Sequence, residues 1–258
     1  MKTCLKLCLL ICLFTFDLYA EEKPPESVVP VEGITFAVNP GRIYLPAEEA
    51  AELLGWKLDL DESKKKISLN GTSFNYWSLR RLIGGPVLFN VANLKTAGAE
   101  ATKDEESGWI TLTTETKEVV LSPGRKKVFV DLEAQQMKAW EGERLVLDCH
   151  ISSGRYGNTP SGTFRTGPYK SRYHYSSRYH NAPMPYSVQF RGNFFFHGFS
   201  HVPNYPASKG CIRMHLDKGN PARFFYEWVD RGVPVQIVKK TPKEEIEMVE
   251  APATQPAG

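Results

Sequence analysis

The sequence predicts two domains in series: an α+β domain built on an internal repeat, and a mostly β domain with one helix near its end. Three observations lead to this prediction. The 258 residues are 41% apolar and 24% charged, the balance of a globular chain that can bury one or two cores. A segment that begins near residue 43 recurs 43 positions later. From residue 127 onwards, short alternating strands are separated by tight turns.

Residues 1–20 have the pattern of a secretory signal peptide. Two lysines precede an apolar run at 7–16, and the small residue Ala20 stands just before two glutamates. A membrane-spanning helix needs about 20 apolar residues, which is more than this run contains. We therefore expect cleavage after Ala20, export to the periplasm or cell envelope, and no integral membrane segment in the mature chain. The alternative is retention of the segment as an N-terminal anchor.

The cysteines raise a question of chemistry. Three of the five lie in the predicted signal peptide, at Cys4, Cys8 and Cys12, so Cys149 and Cys211 remain. A secreted domain stabilised by disulfides carries an even, closely spaced set, which these two do not form. Either they pair once or one of them performs chemistry. The net charge of +3 gives no electrostatic case for nucleic acid as the partner.

The repeat aligns residues 43–69 with residues 86–112. Each copy has the pattern strand, short helix, glycine, strand, acidic turn, strand. In the first copy a helix is predicted from Pro46 to Leu54, with Gly55 at its C-terminal end, followed by a hairpin. One copy is too small to bury its own apolar face, so the two are expected to pack as one domain.

On this pattern, residues 31–121 resemble the copper amine oxidase N-terminal-like domain of secreted bacterial proteins. No His or Cys occurs in this range to hold a metal. We therefore interpret the segment as a binding or spacing module. Aromatic residues such as Tyr76 and Trp77 could contact glycan, but core packing is the favoured use of each.

A break at Ser122-Pro123-Gly124 is predicted to separate the domains. The second domain, residues 126–239, begins with short alternating strands, which imply an antiparallel, mostly β core. A helix is predicted from its cap at Asn220 through Val229, with Gly232 as the residue that prevents its continuation, and a last strand follows. The charged, proline-rich segments 21–30 and 240–258 are predicted to be disordered.

Two short segments carry the residue types of thiol catalysis. Three phenylalanines lead to His197 and Gly198, and fourteen positions after the histidine a glycine-flanked turn presents Cys211. A thiolate can attack a carbonyl, a histidine can accept and return its proton, and backbone N–H groups can stabilise the oxyanion. Gly210 permits a close approach of the substrate. A lone Cys and a lone His remain compatible with a structural thiol or a disulfide.

The surrounding residues favour catalysis, because residues 126–239 resemble the L,D-transpeptidase (YkuD-type) family of peptidoglycan enzymes. The matching landmarks, in chain order, are the opening strands at 128–140, the segments at 151–154, 159–164 and 184–186, His197-Gly198, residues 208–214, and the closing strand at 232–237.

The resemblance implies a role for each site residue. It makes Cys211 the acylated nucleophile, His197 its base, the carbonyl of Gly198 the group that orients the imidazole, and the amides of Gly210 and Cys211 the oxyanion hole. It also places five further residues at the substrate: Arg213, Ser208, Lys209, Tyr186 and His201. Arg213 is a ligand for a substrate carboxylate or an anchor of its loop, and simple packing is nearly as well supported.

One position departs from the family pattern. The family usually has histidine directly before Gly-Cys, where this chain has Lys209. A nearby ammonium could lower the pKa of Cys211, but it cannot share proton transfer near neutral pH. Activity or substrate choice is therefore expected to differ from the family norm.

Two other patterns are weighed against simpler explanations. His197, His201 and His215 could suggest a metal, but a strand followed by glycine is not the helical setting of a zinc protease, so we expect neither metal nor cofactor. Residues 171–180 read Ser-Arg-Tyr-His twice. They either hold anionic peptide stems or form a solvated surface.

The resulting hypothesis is transfer of a tetrapeptide stem to an amine acceptor with release of D-alanine, forming 3–3 cross-links in cell-wall biogenesis. The expected partners are peptidoglycan stem peptides, with carbapenem β-lactams as inhibitors. Two alternatives stay open: an L,D-carboxypeptidase or hydrolase using the same Cys211 and His197, and a non-catalytic wall-binding protein.

Overall fold

The computed structural model of the chain describes residues 29–240. The predicted signal peptide with its three cysteines, nearly all of the predicted linker and the C-terminal tail lie outside the described residues. Between residues 29 and 240, no helix is long and apolar enough to cross a membrane.

Residues 31–123 form ten strands and two helices. The strands are β1 (Val31–Thr35), β2 (Ile43–Pro46), β3 (Leu58–Asp61), β4 (Lys66–Leu69), β5 (Thr72–Asn75), β6 (Arg80–Arg81), β7 (Val87–Asn90), β8 (Glu100–Lys103), β9 (Ile110–Thr113) and β10 (Glu118–Pro123); the helices are α1 (Ala47–Leu54) and α2 (Val91–Thr96). Seven strands form one sheet in the order β6-β7-β2-β1-β10-β9-β8, and β3-β4-β5 form a second.

The two aligned segments contain the same elements in the same order: β2, α1, β3 and β4 against β7, α2, β8 and β9. Their first strands pair antiparallel, with Leu45 opposite Phe89. Their hairpins join different sheets, because β3 and β4 pair with β5 while β8 and β9 continue the larger sheet. The internal repeat and the likeness to the copper amine oxidase N-terminal-like domain stay predictions.

Helix α1 confirms its predicted position. Glutamates 48 and 49 lie in its first turn, where negative charge complements the helix dipole. Gly55 ends the helix in the left-handed conformation at φ 66°, which glycine adopts without steric cost. Core packing was favoured for both Tyr76 and Trp77. Tyr76 is buried as expected, but the side chain of Trp77 is 71% exposed, so the prediction was wrong for Trp77.

Residues 126–238 form eleven strands and one helix. They are β11 (Lys126–Asp131), β12 (Gln136–Glu141), β13 (Arg144–Ser152), β14 (Gly162–Arg165), β15 (Lys170–Ser171), β16 (Tyr175–Ser176), β17 (Ala182–Pro183), β18 (Ser187–Arg191), β19 (Phe194–Phe199), β20 (Ile212–His215), α3 (Pro221–Trp228) and β21 (Pro234–Val238). Nine of these strands form one sheet in the order β14-β21-β11-β12-β13-β20-β19-β18-β15, and β16 pairs with β17.

This sheet is mixed, so the expectation of an antiparallel core was wrong in part. Strand β11 pairs parallel with β21, and β19 pairs parallel with β20. Parallel neighbours need a connection that returns the chain to the starting end of the sheet. The loop at 200–211 provides this return between β19 and β20, and it is the loop that carries the candidate thiol.

The expected break at Ser122-Pro123 was also wrong. Both residues belong to β10, which pairs parallel with β1, so Ser122 lies opposite Glu32 and Pro123 opposite Gly33. Proline is tolerated there because it ends the strand and no further ladder bond depends on its missing N–H. The chain turns only after this point, at Gly124.

Helix α3 ends at Trp228, one residue before the predicted last helical residue Val229. Its N-terminus is capped as expected, since the side chain of Asn220 accepts the N–H of Arg223. Lys126 Nζ donates to the carbonyl of Trp228 at 2.7 Å, and Lys170 Nζ donates to that of Val229 at 2.6 Å. These two distant ammonium groups satisfy carbonyls at the helix end, a signal that local sequence does not contain.

One hydrophobic core crosses the predicted domain boundary. Ile34, Phe36 and Leu88 belong to the same cluster as the inner residues of the nine-stranded sheet and α3. The ring of Phe36 packs edge-on against Phe224 of α3 at 5.8 Å. A second cluster lies between α1, α2 and the strands of residues 31–121.

Candidate active site

The pairing of β19 with β20 places the candidate residues on one face. His197 lies opposite Arg213 in the parallel register, and side chains alternate along a strand. Cys211 immediately precedes β20 and shares the face of Arg213, while Phe196 and Ile212 point into the core on the other face. The sheet therefore brings thiol, imidazole and guanidinium together.

His197 is buried, with 5% of its surface exposed, and its orientation is fixed by its neighbour. Its Nδ1 lies 2.9 Å from the carbonyl oxygen of Gly198. Because a carbonyl only accepts, Nδ1 carries the proton and Nε2 is left with a free lone pair. Burial lowers the pKa of His197 to about 4, with Arg213 and His174 acting in the same direction. The imidazole is neutral at pH 7 and able to accept a proton.

The turn before the thiol is closed by Ser208. Its hydroxyl donates to the carbonyl of Cys211 at 2.6 Å and accepts the N–H of Gly210 at 3.0 Å. Gly210 lies at φ +143°, a conformation that favours glycine, and a Cβ there would meet Phe194 at 2.7 Å. Ser208 was predicted at the substrate, whereas its hydrogen bonds shape the turn that presents the thiol.

The bond from Gly210 to Ser208 also bears on the expected oxyanion hole. The N–H of Gly210 donates within the turn to the hydroxyl of Ser208, and its role as an oxyanion donor stays a prediction. The N–H of Cys211 is the other candidate donor from the turn.

A second turn supports the first by backbone contact. Gly154 pairs with Ser208 in a parallel bridge. A Cβ on Gly154 would lie 2.7 Å from the Cα of Gly210, so only glycine allows this approach. Thr159 joins the two turns, because its hydroxyl accepts the N–H of Gly154 at 2.7 Å and donates to the carbonyl of Gly210 at 2.8 Å. This explains the residue types at 154 and 159 within the matched landmarks.

The cation that acts on Cys211 is Arg213. Burial raises the pKa of the Cys211 thiol, while a hydrogen bond from the backbone of Phe195 and the charge of Arg213 lower it. The ammonium of Lys209 instead lies 4.3 Å from the centroid of the Tyr179 ring. The expectation that Lys209 lowers this pKa is therefore corrected, since its charge is directed to an aromatic ring.

Both described cysteines are free thiols. The disulfide alternative is thus not present, and the Cys211 thiol is half-buried and unblocked. Cys149 packs beside the main core, and burial raises its pKa to about 12. A thiol this reluctant to ionise is a poor nucleophile, so the two cysteines differ in chemistry.

Two further residues were predicted at the substrate, Tyr186 and His201. The ring centroid of Tyr186 lies 5.8 Å from that of Tyr226 in α3, and the Cζ of Arg172 lies 5.9 Å from the centroid of the Tyr186 ring. His201 is exposed in the loop after β19. Their placement at the substrate stays a prediction.

Two further residues bear on the site: His174, from the segment predicted either to hold peptide stems or to form a solvated surface, and Arg155, for which no role was predicted. The ring of His174, from the doubled Ser-Arg-Tyr-His segment, lies 5.2 Å from that of Phe195, and its Nδ1 lies within hydrogen-bond distance, 2.9 Å, of the hydroxyl oxygen of Tyr169. Arg155 follows Gly154, and its N–H donates to the carbonyl of Ser208 at 3.0 Å. Within residues 29–240, no group of three His, Cys, Asp or Glu side chains is placed to hold a metal.

Comparison with known families identifies the segment that carries this geometry. Residues 125–237 match the YkuD family model, described as the L,D-transpeptidase catalytic domain. The candidate thiol and imidazole both lie within this matched segment. Comparison with curated proteins gives no match.

Solved structures similar to this chain include three L,D-transpeptidases. One from Stackebrandtia nassauensis is 22% identical, with 58% of this chain and 65% of that chain covered and a TM-score of 0.40. Residues 123–326 of one from Xylanimonas cellulosilytica are 21% identical, with 84% and 100% covered and a TM-score of 0.39. LdtMt1 in complex with imipenem is 11% identical, with 83% and 96% covered and a TM-score of 0.40. This chain thus spans slightly less than two thirds of the Stackebrandtia protein.

Proposed function

We propose that residues 126–239 are a peptidoglycan L,D-transpeptidase that uses Cys211 as its nucleophile and His197 as its base. The observation that carries the proposal is the shared face of the two side chains, with a neutral imidazole whose Nδ1 is held by the carbonyl of Gly198. The remaining nitrogen is a base of the kind that thiol acyl transfer requires.

The first half-reaction forms a thioester. His197 Nε2 takes the proton of the Cys211 thiol as Sγ attacks the carbonyl carbon of the third stem residue, diaminopimelate. The C–N bond to the terminal D-alanine then breaks, and the imidazolium returns the proton to the departing amine. The N–H of Cys211 donates to the oxyanion formed in between. Because both groups are neutral in the resting site, the proton moves as the sulfur attacks, not before.

The second half-reaction transfers the acyl group to an amine on another stem. Its nitrogen attacks the thioester carbonyl, His197 accepts the proton that the nitrogen loses, and that proton returns to the thiolate as the C–S bond breaks. The product is a 3–3 cross-link between two diamino acids. This chemistry needs neither a metal nor a cofactor.

The rest of the chain supports this activity in the proposal. We infer export, with residues 1–20 as the signal peptide, so that the enzyme acts in the periplasm or cell envelope. Residues 31–121 serve as a binding or spacing module of the copper amine oxidase N-terminal-like type. The exposed ring of Trp77 suits contact with glycan.

The nucleophile is tested by intact-protein mass spectrometry of the mature chain with a carbapenem. The expected result is one adduct with the full mass of the drug, since opening of the β-lactam loses no atoms. Cys211→Ala should remove the adduct, and Cys149→Ala is the matched control that should retain it. An adduct that persists in Cys211→Ala would overturn the assignment.

The fate of the thioester is tested with purified tetrapeptide muropeptides. Separation of the products is expected to show cross-linked dimers and free D-alanine. If only tripeptides appear, water resolves the thioester and the protein is an L,D-carboxypeptidase.

A further inference from the structure

A polar pocket lies in the first half of the chain, where β6, β7 and β2 run side by side. Its volume is about 160 Å³, well above the roughly 10–15 Å³ that one water molecule needs. Tyr44 of β2 lies opposite Asn90 of β7, and Arg80 of β6 lies opposite Leu88 of β7. Residues that lie opposite each other, or two apart on a strand, share one face of a sheet. These four side chains therefore line the pocket together.

The amide oxygens of three asparagines in this pocket are already used. Oδ1 of Asn90 accepts the N–H of Asn93, and Oδ1 of Asn93 accepts the N–H of Asn90, both at 3.0 Å. Oδ1 of Asn39 accepts Nη2–H of Arg80 at 2.6 Å. Because all three partners are donors, the orientation of each amide is fixed, with its nitrogen directed elsewhere.

The three amide nitrogens are left free to donate. Within the described residues, the Nδ2 atoms of Asn39, Asn90 and Asn93 have no hydrogen-bond partner, and no side-chain nitrogen or oxygen without a partner is buried. These NH2 groups are therefore in contact with solvent. The pocket offers donors whose only present partner is water.

The lining carries one unbalanced positive charge. Nη1 of Arg80 pairs with Glu227 of α3 at 3.0 Å, and the Cζ of Arg80 lies 4.3 Å from the centroid of the Phe36 ring. Arg42 also lines the pocket and is exposed, and in the described part of the chain no carboxylate lies within 4.0 Å of its guanidinium. None of the nine described residues that line the pocket is Asp or Glu.

This combination of donors and charge selects among ligand classes. The hydroxyls of a neutral sugar donate as well as accept, and the pocket has neither a carboxylate nor a free amide oxygen to receive them. A phosphate monoester carries about −1.5 to −2 charges at pH 7, more than one guanidinium balances. A carboxylate carries a single charge and only accepts, and its two oxygens match the planar donors of arginine.

We propose that this pocket, with Arg42 and the NH2 groups of Asn39, Asn90 and Asn93, binds a carboxylate. The site lies outside the catalytic segment and goes beyond the proposed function. Two sources share this chemistry, the free carboxylates of peptidoglycan stems and small carboxylates in solution. The first source rests on the proposed function, since that function brings the chain to the cell wall.

The test follows the side-chain amide signals of Asn90 and Asn93 by NMR in the mature wild-type chain at pH 7. Propionate is the probe, and it is expected to shift both signals in a saturable way. Propionamide, which lacks the charge, should bind at least about tenfold more weakly. A tetrapeptide stem that binds more tightly than propionate assigns the carboxylate to peptidoglycan. Equal binding of the two assigns it to small free carboxylates.

Asn90→Asp is a variant that keeps the local fold and reverses the chemistry. Aspartate caps a helix as well as asparagine does, so α2 is retained, but a negatively charged acceptor replaces the NH2 donor. Affinity for propionate, measured at the amide of Asn93, should fall at least about tenfold. Asn220→Asp is the matched control, because Asn220 caps α3 in the same way, and it should bind propionate as the wild type does.

Three results would overturn the inference. Equal binding of propionate and propionamide would mean that the pocket takes a neutral group, and tighter binding of inorganic phosphate than of propionate would make it a phosphate site. An equal loss with Asn90→Asp and Asn220→Asp would mean that the net charge of the chain acts, and not the pocket. Failure of the proposed function is seen separately, as absence of the carbapenem adduct on Cys211, and would leave the binding of propionate in place.

Discussion

The hydroxyl of Ser208 donates a hydrogen bond of 2.6 Å to the carbonyl of Cys211. The same oxygen accepts the N–H of Gly210 at 3.0 Å, and the serine is only 2% exposed. One buried side chain therefore fixes the backbone on both sides of the bond that joins Gly210 to Cys211. The direction in which the thiol points depends on this arrangement.

Replacing Ser208 with alanine should destabilise the protein and lower the rate at which the Cys211 thiol is acylated. Loss of a buried hydroxyl leaves a carbonyl and an N–H without a partner, which costs about 1–3 kcal/mol. The measurements are the free energy of unfolding in urea and the rate of acylation of Cys211 by a carbapenem. Ser187→Ala is the matched control, because Ser187 is equally buried and donates to the carbonyl of Met184 at 2.8 Å. The control should lose stability but keep its acylation rate; equal rates in both variants would contradict the role of Ser208.

The charge on Arg213, not that on Lys209, is expected to control ionisation of the thiol. The ammonium of Lys209 lies over the ring of Tyr179, whereas the charge of Arg213 lowers the pKa of Cys211. Arg213→Gln should therefore raise this pKa, and Lys209→Gln should leave it in place. The pH dependence of alkylation by iodoacetamide, in a Cys149→Ala background, reports the pKa directly. A shift with Lys209→Gln alone would restore the role that the sequence suggested for this lysine.

The stability of the protein should fall as the pH drops from about 6.5 to 4. Burial lowers the pKa of His197 to about 4 from its usual 6.5, so in this window the unfolded chain binds a proton that the folded chain does not. Over the full window the loss from this residue alone is about 3 kcal/mol. Denaturation of the wild type and His197→Gln at several pH values measures it. The variant should show a flatter dependence, and equal slopes would contradict a buried neutral imidazole.

Local patterns predicted many of the elements well. The helix that ends at Gly55, the cap at Asn220 and the hairpins of β11 to β13 follow from turn residues and alternation within short windows. His197 lies on β19 and Cys211 lies in the turn directly before the neighbouring β20, in line with the pattern that singled them out, a buried strand leading into one and a glycine turn presenting the other.

The sequence analysis fails where the structure depends on contacts between residues that are distant in sequence. Ser122-Pro123 has the composition of a break but extends β10, because β1 lies alongside it. Arg155 could not be assigned from its neighbours, because its importance depends on contact between two turns more than 50 residues apart. A single sequence does not show which of its distant residues lie close together in the folded chain.

A buried carboxylate joins the two halves of the molecule and gives the last prediction. Glu141 is fully buried, accepts the N–H and hydroxyl of Thr35 from β1, and accepts the indole N–H of Trp228 from α3 at 2.7 Å. Burial raises its pKa, while Lys126, 4.0 Å away, opposes the shift. Glu141→Ala should cost about 3–5 kcal/mol, because it removes one partner of a buried pair and strands the other donors.

Glu141→Gln is the matched variant, since it keeps the shape and an acceptor oxygen for Trp228. It should cost less than Glu141→Ala and remove the pH dependence that this carboxyl contributes. The pKa of Glu141 is higher in the folded than in the unfolded state, so protonation of this carboxyl at low pH favours the folded state. The stabilisation is lost as the pH rises through the folded pKa. Urea denaturation of the three proteins at pH 4 and pH 8 measures both effects. If Glu141→Ala is as stable as wild type, the contacts between β1 and α3 do not depend on this residue, and the apolar packing of Phe36 against Phe224 must hold the two halves together by itself.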